Sequence, residues 1–207
     1  MKATQIRITL GLAAVLGLGA LAVTAGLGAH AAFADAVSPT GPFNAALCSG
    51  TKVTFKLGTA TVTCNVSATS GTATSSASGQ PICGNITAPT LSSCTVSAAG
   101  FSFGASCTSS GTWNLCASSG GTSSLTIPQN AVMCTASVFG QTCKATSTTA
   151  GATTVSGTWT NAPASKAVFT NQNVPVVTSG GFPCPSSNTA VFTAQYCTSP
   201  ALTISPN

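Results

Sequence analysis

The stretch Val53-Thr54-Phe55-Lys56-Leu57-Gly58-Thr59-Ala60-Thr61-Val62-Thr63-Cys64-Asn65-Val66 carries the clearest signal of architecture in the chain. Val53, Phe55 and Leu57 alternate with Thr54 and Lys56. Beyond Gly58 the alternation resumes with Ala60, Val62, Cys64 and Val66 against Thr61, Thr63 and Asn65. A period of two puts the apolar set on one face of a pleated strand, and β-branched residues suit that surface. Two such runs about a glycine predict a β-hairpin.

Outward from this hairpin, similar runs recur at residues 100–103, 112–116, 124–127, 132–138, 142–146, 153–160, 167–170, 174–178, 191–196 and 202–204, separated by Gly, Pro and Ser. No window keeps a helical period. Short strands at this spacing predict an all-β, disulfide-stapled sandwich or barrel-like antiparallel fold. Pro175 marks its run as an edge or irregular strand. The Ser/Thr/Gly stretch 67–80 reads as a flexible polar loop. Ser110-Gly111-Thr112-Trp113 recurs as Ser156-Gly157-Thr158-Trp159, which suggests two related hairpin units with unequal loops.

Residues 1–36 read as a secretory signal peptide: basic Lys2 and Arg7, an apolar run from Ile8 to Ala29, then Ala32-Phe33-Ala34 and Ala34-Asp35-Ala36 as small-residue cleavage patterns. The run is nearly long enough to span a bilayer. Its glycines and the paired Ala-x-Ala sites favour cleavage over a retained anchor. Residues 37–207 then form a single disulfide-rich domain, secreted or associated with the cell envelope. Cutting after Ala36 removes Asp35 and His30, leaving Lys52, Lys56, Lys144 and Lys166 and no Asp, Glu, His or Arg.

That absence excludes most chemistry. General acid-base steps rest on His and carboxylates, and a catalytic cysteine needs a partner to form its thiolate. Ser49-Gly50-Thr51-Lys52 matches the Ser-x-x-Lys pattern of acylating serine enzymes, but it contains a glycine, runs directly into a strand and lacks the companion motifs. Tyr196 alternates with Phe192 and Ala194, so its ring is expected to pack with its hydroxyl at the rim. No catalytic residue, metal site or cofactor is therefore expected. Four scattered lysines make a poor track for nucleic acid, and Lys52 and Lys56, on one strand face, read as solvating charges that discourage edge pairing in preference to contacts for an anionic envelope polymer or lipid headgroup.

Ten cysteines, Cys48, Cys64, Cys83, Cys94, Cys107, Cys116, Cys134, Cys143, Cys184 and Cys197, all lie beyond the signal. An even count in an exported chain predicts five bridges, with connectivity open. Nine Phe, two Trp and a positive mean hydropathy supply enough apolar surface for a core despite the Ser/Thr-rich composition.

The layout of signal peptide, strand ending in Thr63-Cys64, polar loop, Ser93-Cys94, the Gly-Thr-Trp113 strand, Cys134 and late Cys184 resembles a group of small exported actinobacterial β-rich proteins of unknown function. The resemblance implies the pairings Cys64–Cys94 and Cys134–Cys184, and it implies no activity. Three functional classes remain. The first is a non-enzymatic extracellular or envelope module acting by binding or as a structural part, its partner an envelope component or a second copy. The second is an outer-envelope barrel or pore. The third is an ice or saccharide binder, suggested by the Thr-x-Thr spacings at Thr59-Ala60-Thr61, Thr61-Val62-Thr63 and Thr72-Ala73-Thr74.

Overall fold

The computed structural model describes residues 34–76 and 81–206. Residues 1–33 of the expected signal peptide and residues 77–80 of the expected polar loop lie outside them. The described residues form strands and connections and contain no helix.

The predicted hairpin forms β3 (Val53–Leu57) and β4 (Ala60–Val66), with Phe55 opposite Val62. In chain order around it come β1 (Asp35–Ser38), β2 (Gly41–Leu47), β5 (Ala68–Ala73), β6 (Ile82–Thr87), β7 (Ser92–Ala98), β8 (Phe101–Ser109), β9 (Thr112–Ala117) and β10 (Thr122–Ile127). The chain continues through β11 (Val132–Val138), β12 (Gln141–Ser147), β13 (Thr153–Thr160), β14 (Lys166–Ser179), β15 (Thr189–Ser199) and β16 (Thr203–Pro206). Fourteen of these, β2 to β15, close into one antiparallel barrel.

The barrel is simpler than its strand count. Twelve strands join end to end in pairs (β2 with β3, β4 with β5, β6 with β7, β8 with β9, β10 with β11, β12 with β13), while β14 and β15 are undivided, so the wall has eight long staves. Each stave pairs with its chain neighbours above and below the break, and the eighth returns to the first through β15 on β3 and on β2. The topology is an up-and-down meander. Hairpin connections at 58–59, 99–100, 139–140 and 180–188 lie at one end, here called the head; 118–121, 161–165 and the described residues 74–76 and 81 between β5 and β6 lie at the foot.

Closure corrects two readings. Pro175 is not on an edge, because a barrel has none: it pairs with Thr189 inside β14. Val176 donates to Asn188 on one side while the Pro175 carbonyl accepts from Thr148 on the other, so the proline nitrogen faces the break between β12 and β13, where no ladder bond is lost. Residues 68–73 are not loop but strand β5, paired with β2 and β6. The inward positions of β5 are Thr69, Gly71 and Ala73, too small to signal a strand. Their smallness is required by the packing, since a Cβ on Gly71 would come within 2.8 Å of Ile86 and 3.0 Å of the Phe43 ring.

The two Ser-Gly-Thr-Trp copies are not equivalent units. Gly111 lies at the break between β8 and β9, whereas Gly157 lies inside β13. Both tryptophans point inward and are buried.

Eight strands enclose an interior just wide enough for side chains to fill. Val53, Phe55, Val62, Val96, Ile127, Val155, Phe169, Val174 and Phe192 fill it, with Phe55 stacked on Phe192 at 5.4 Å and Phe169 at 6.1 Å from Phe192. At the breaks, hydroxyls and neighbouring strands satisfy the freed backbone groups. Val132 N–H donates to Ser147 Oγ at 3.0 Å, and Cys48 N–H to the Gln195 carbonyl at 3.0 Å.

The termini close the foot. β1 and β16 pair as a separate ribbon, burying Val37, Leu202 and Ile204. Asp35 holds this ribbon to the wall: its carboxylate accepts from Ser119 N–H at 3.1 Å and Ser119 Oγ at 2.6 Å, and its carbonyl accepts from Ser76 N–H at 3.0 Å. Asn161 clamps the other strand through both its side-chain oxygen and nitrogen to Ile204.

Candidate functional site: a filled barrel with a hydroxyl wall

All ten cysteines are paired, as Cys48–Cys197, Cys64–Cys94, Cys83–Cys116, Cys107–Cys134 and Cys143–Cys184. Four bridges link neighbouring staves, and the fifth ties β12 to the loop between β14 and β15. The implied Cys64–Cys94 pair is present. The implied Cys134–Cys184 pair is not: Cys134 sits directly opposite Cys107 in the β8–β11 ladder, and Cys184, in the head loop, meets Cys143 at the start of β12. Register decides this, because cross-strand neighbours share one face at disulfide distance. Cys64, Cys94 and Cys107 lie close enough together to suggest a metal site, but their sulfurs are consumed in two adjacent disulfides and offer no thiolate.

The catalytic candidates fare poorly. Thr51 N–H donates to the Cys48 carbonyl at 3.0 Å, which places Ser49 in a tight turn and Lys52 just beyond it, both residues exposed. A nucleophile and its activating amine need a shared, shielded position. Tyr196 is buried rather than at the rim. Its hydroxyl shares a hydrogen bond of 2.7 Å with buried Ser67 at the break between β4 and β5. Burial pushes its phenol up to about 12, with the Ser67 bond pulling the other way.

The side chains described fill the barrel interior closely. Among the described residues, three apolar voids measure about 30, 20 and 40 Å³, room for water-sized guests and not for a ligand.

The outer wall is where polar chemistry collects. Register brings threonines from four staves into one rank, Thr193, Thr54, Thr63 and Thr95. On the foot half, Asn85, Asn114, Thr126 and Thr154 form a second rank, flanked by Ser124 opposite Ser156 and Thr122 opposite Thr158. Ranks on adjacent strands repeat at about 4.8 Å and along each strand at about 6.8 Å. Thr126 and Thr154 hydroxyls meet at 2.9 Å. The Thr-x-Thr spacing in β4 points at one stave of this wall, but the cross-strand partners are remote in sequence and no local signal joins them. Lys144 stands at an open outer groove near Thr108, Met133, Thr146 and Val177.

A third surface lies at the head. Phe101 and Phe103 at the start of β8 meet Phe139 of the β11–β12 turn, with ring centroids 5.2 Å (Phe101–Phe139) and 5.0 Å (Phe103–Phe139) apart, both edge to face. Phe101 is 57% exposed, Phe139 53%, and Phe182 in the β14–β15 loop 97%.

No known family model, characterised protein or solved structure matches this chain.

Proposed function

We propose that this chain is an exported, disulfide-locked β-barrel that works from its outer surface, by binding or as a structural part of the extracellular space or cell envelope, and catalyses no reaction. The observation that carries this reading is the distribution of chemistry: an interior filled with apolar side chains, the Cys64–Cys94 and Cys107–Cys134 bridges among them, and a wall of neutral hydroxyls and amides. Five bridges favour an oxidising compartment. Turnover would need a base, a metal or a redox centre, and Ser49 and Lys52, the one pair with a catalytic precedent, lie exposed at a turn and just after it. A fluorophosphonate or acylating β-lactam probe is expected to leave the protein unlabelled. Stoichiometric labelling that disappears in Ser49→Ala would overturn the reading.

Export is proposed with cleavage after Ala34 rather than Ala36. Asp35 is buried, pairs with Pro206 and holds Ser119 by two hydrogen bonds, so the ribbon that closes the foot needs it. Intact-mass measurement of the secreted protein should give a chain starting at Asp35. A start at Val37 contradicts it.

Polarity separates this reading from the pore. A lipid-facing barrel carries apolar residues outward and a wet lumen, whereas here the apolar set points inward. The saccharide or ice reading keeps one supporting observation, the aligned hydroxyl ranks on β10 and β13. Retention on an insoluble polysaccharide that is lost in Thr126→Val/Thr154→Val would favour it, and unchanged retention would sink it.

A further inference from the structure

We propose that the head of the barrel is a docking tip for an anionic lipid surface, an inference that rests on the outer-surface binding reading and gives it a partner. Among the described residues, Phe101, Phe139 and Phe182 are three of the large apolar side chains left exposed; Phe101 opens β8, Phe139 and Phe182 lie on connections, and all three are at the same end. Phe101 shares its face with buried Ala98, opposite it across the β7–β8 ladder, but it projects beyond the core at the barrel mouth. Capping the mouth would not require phenyl rings half in water, and it gives no reason for Phe182, which is almost wholly exposed. Exposed apolar clusters of this kind mark interaction sites.

Phe139 carries a second signal. It has φ 49° and is followed by Gly140 at φ 81°, the pair of positive values that two-residue hairpin turns favour and that Asn-Gly normally supplies. A bulky aromatic in the left-handed region is strained, and strain retained at an exposed position points to use of the side chain.

Charge selects the occupant. Lys56 lies one residue before the end of β3 at the head, and Lys144 lies in the head half of β12, both exposed. No carboxylate side chain occurs after Asp35, which is at the foot. A phenyl-tipped end flanked by ammonium groups, with no opposing acid, fits phosphate-bearing headgroups above an acyl boundary, the arrangement by which peripheral proteins sit at a membrane interface. The hydroxyl wall would remain in water.

The test is sedimentation of the disulfide-intact secreted protein with vesicles of equal parts phosphatidylglycerol and phosphatidylcholine, against vesicles of phosphatidylcholine alone. Binding to the anionic vesicles is expected, weaker on the neutral ones and reduced by salt. Phe182→Ser should weaken partitioning about tenfold, since a phenyl group removed from water contributes on that order. Phe139→Asn should weaken binding while restoring the preferred turn chemistry, so its fold is checked by an unfolding midpoint no lower than the parent's. Equal binding of the parent and the Phe139→Asn/Phe182→Ser variant would overturn the proposal, as would absence of vesicle binding by the parent, or a concentration-dependent dimer through the head in place of it. None of these outcomes alters the probe-labelling result, so failure of the docking proposal is distinguishable from failure of the non-enzyme reading.

Discussion

Gly157 shows how one residue sets the packing of the wall. A Cβ there would approach the Val168 carbonyl to 2.4 Å and the Phe169 ring to 2.7 Å, and Phe169 is among the most deeply buried side chains. Backbone cannot yield as a flexible side chain can, so Gly157→Ala should lower stability by roughly 2 kcal/mol or more in denaturant titration. Ser123 is the converse case: among the described residues its hydroxyl is the buried side-chain oxygen without a partner. Ser123→Ala should raise stability by about 1 kcal/mol, because an unsatisfied hydroxyl is removed and no bond is lost. Tyr196 links the core to pH. Its phenol is held neutral by burial, with a folded value of about 12 above the ordinary value of 10.0. A raised value in the folded state means that the contribution is complete below about pH 10 and is lost as pH climbs towards 12, on the order of 2 to 3 kcal/mol in all. Unfolding midpoints taken from pH 8 to pH 12 should fall in the parent and much less in Tyr196→Phe, which lacks the ionising group.

At the scale of elements, visibility in the sequence follows the size of the inward residues. The hairpin of β3 and β4 is legible because Val53, Phe55, Leu57 and Val62 are large and alternate. β5 is hidden because its inward residues are Thr69, Gly71 and Ala73, and β7 because it presents Cys94, Val96 and Ala98 among serines. The runs 167–170 and 174–178 read as separate strands, yet a bulge between Phe169 and Gln172 lets β14 continue as one stave. β1 overlaps the expected signal peptide, and its pairing with β16 is what reveals that Asp35 belongs to the folded body. Asp35→Ala should cost roughly 1.5 to 3 kcal/mol, the range for hydrogen bonds to a charged group. It should also speed hydrogen exchange at the Ser119 amide, with the rest of the barrel little changed.

At the scale of the molecule, the disulfides act as rungs around a closed wall. Cys48–Cys197 joins the first stave to the last across a sequence separation of 149, whereas Cys83–Cys116 spans 33. Loop-closure entropy grows with the logarithm of length, but Cys64–Cys94, Cys107–Cys134 and Cys143–Cys184 short-cut the chain inside the first loop, so the ring that Cys48–Cys197 closes is far shorter than its separation and the two bridges should each contribute about 4 kcal/mol. Unfolding of Cys48→Ser/Cys197→Ser and Cys83→Ser/Cys116→Ser variants should show losses within about 1 kcal/mol of each other, and a markedly larger loss in one of them would mean that packing around that bridge in the folded protein outweighs loop entropy.

Local alternation and composition were enough to establish that the chain is all-β, that its ten cysteines form bridges, and that beyond Asp35 it carries no Asp, Glu, His or Arg. Which cysteines face each other, the closure of the wall on itself, and the standing of threonines from distant segments in one rank were settled by tertiary structure alone. Those properties depend on register between strands far apart in the chain, and a shift of one residue would turn each side chain to the opposite face without changing the local pattern. The aromatic head belongs to the same class: Phe101, Phe139 and Phe182 are separated by long stretches of chain, and the up-and-down winding of the staves brings them to one end.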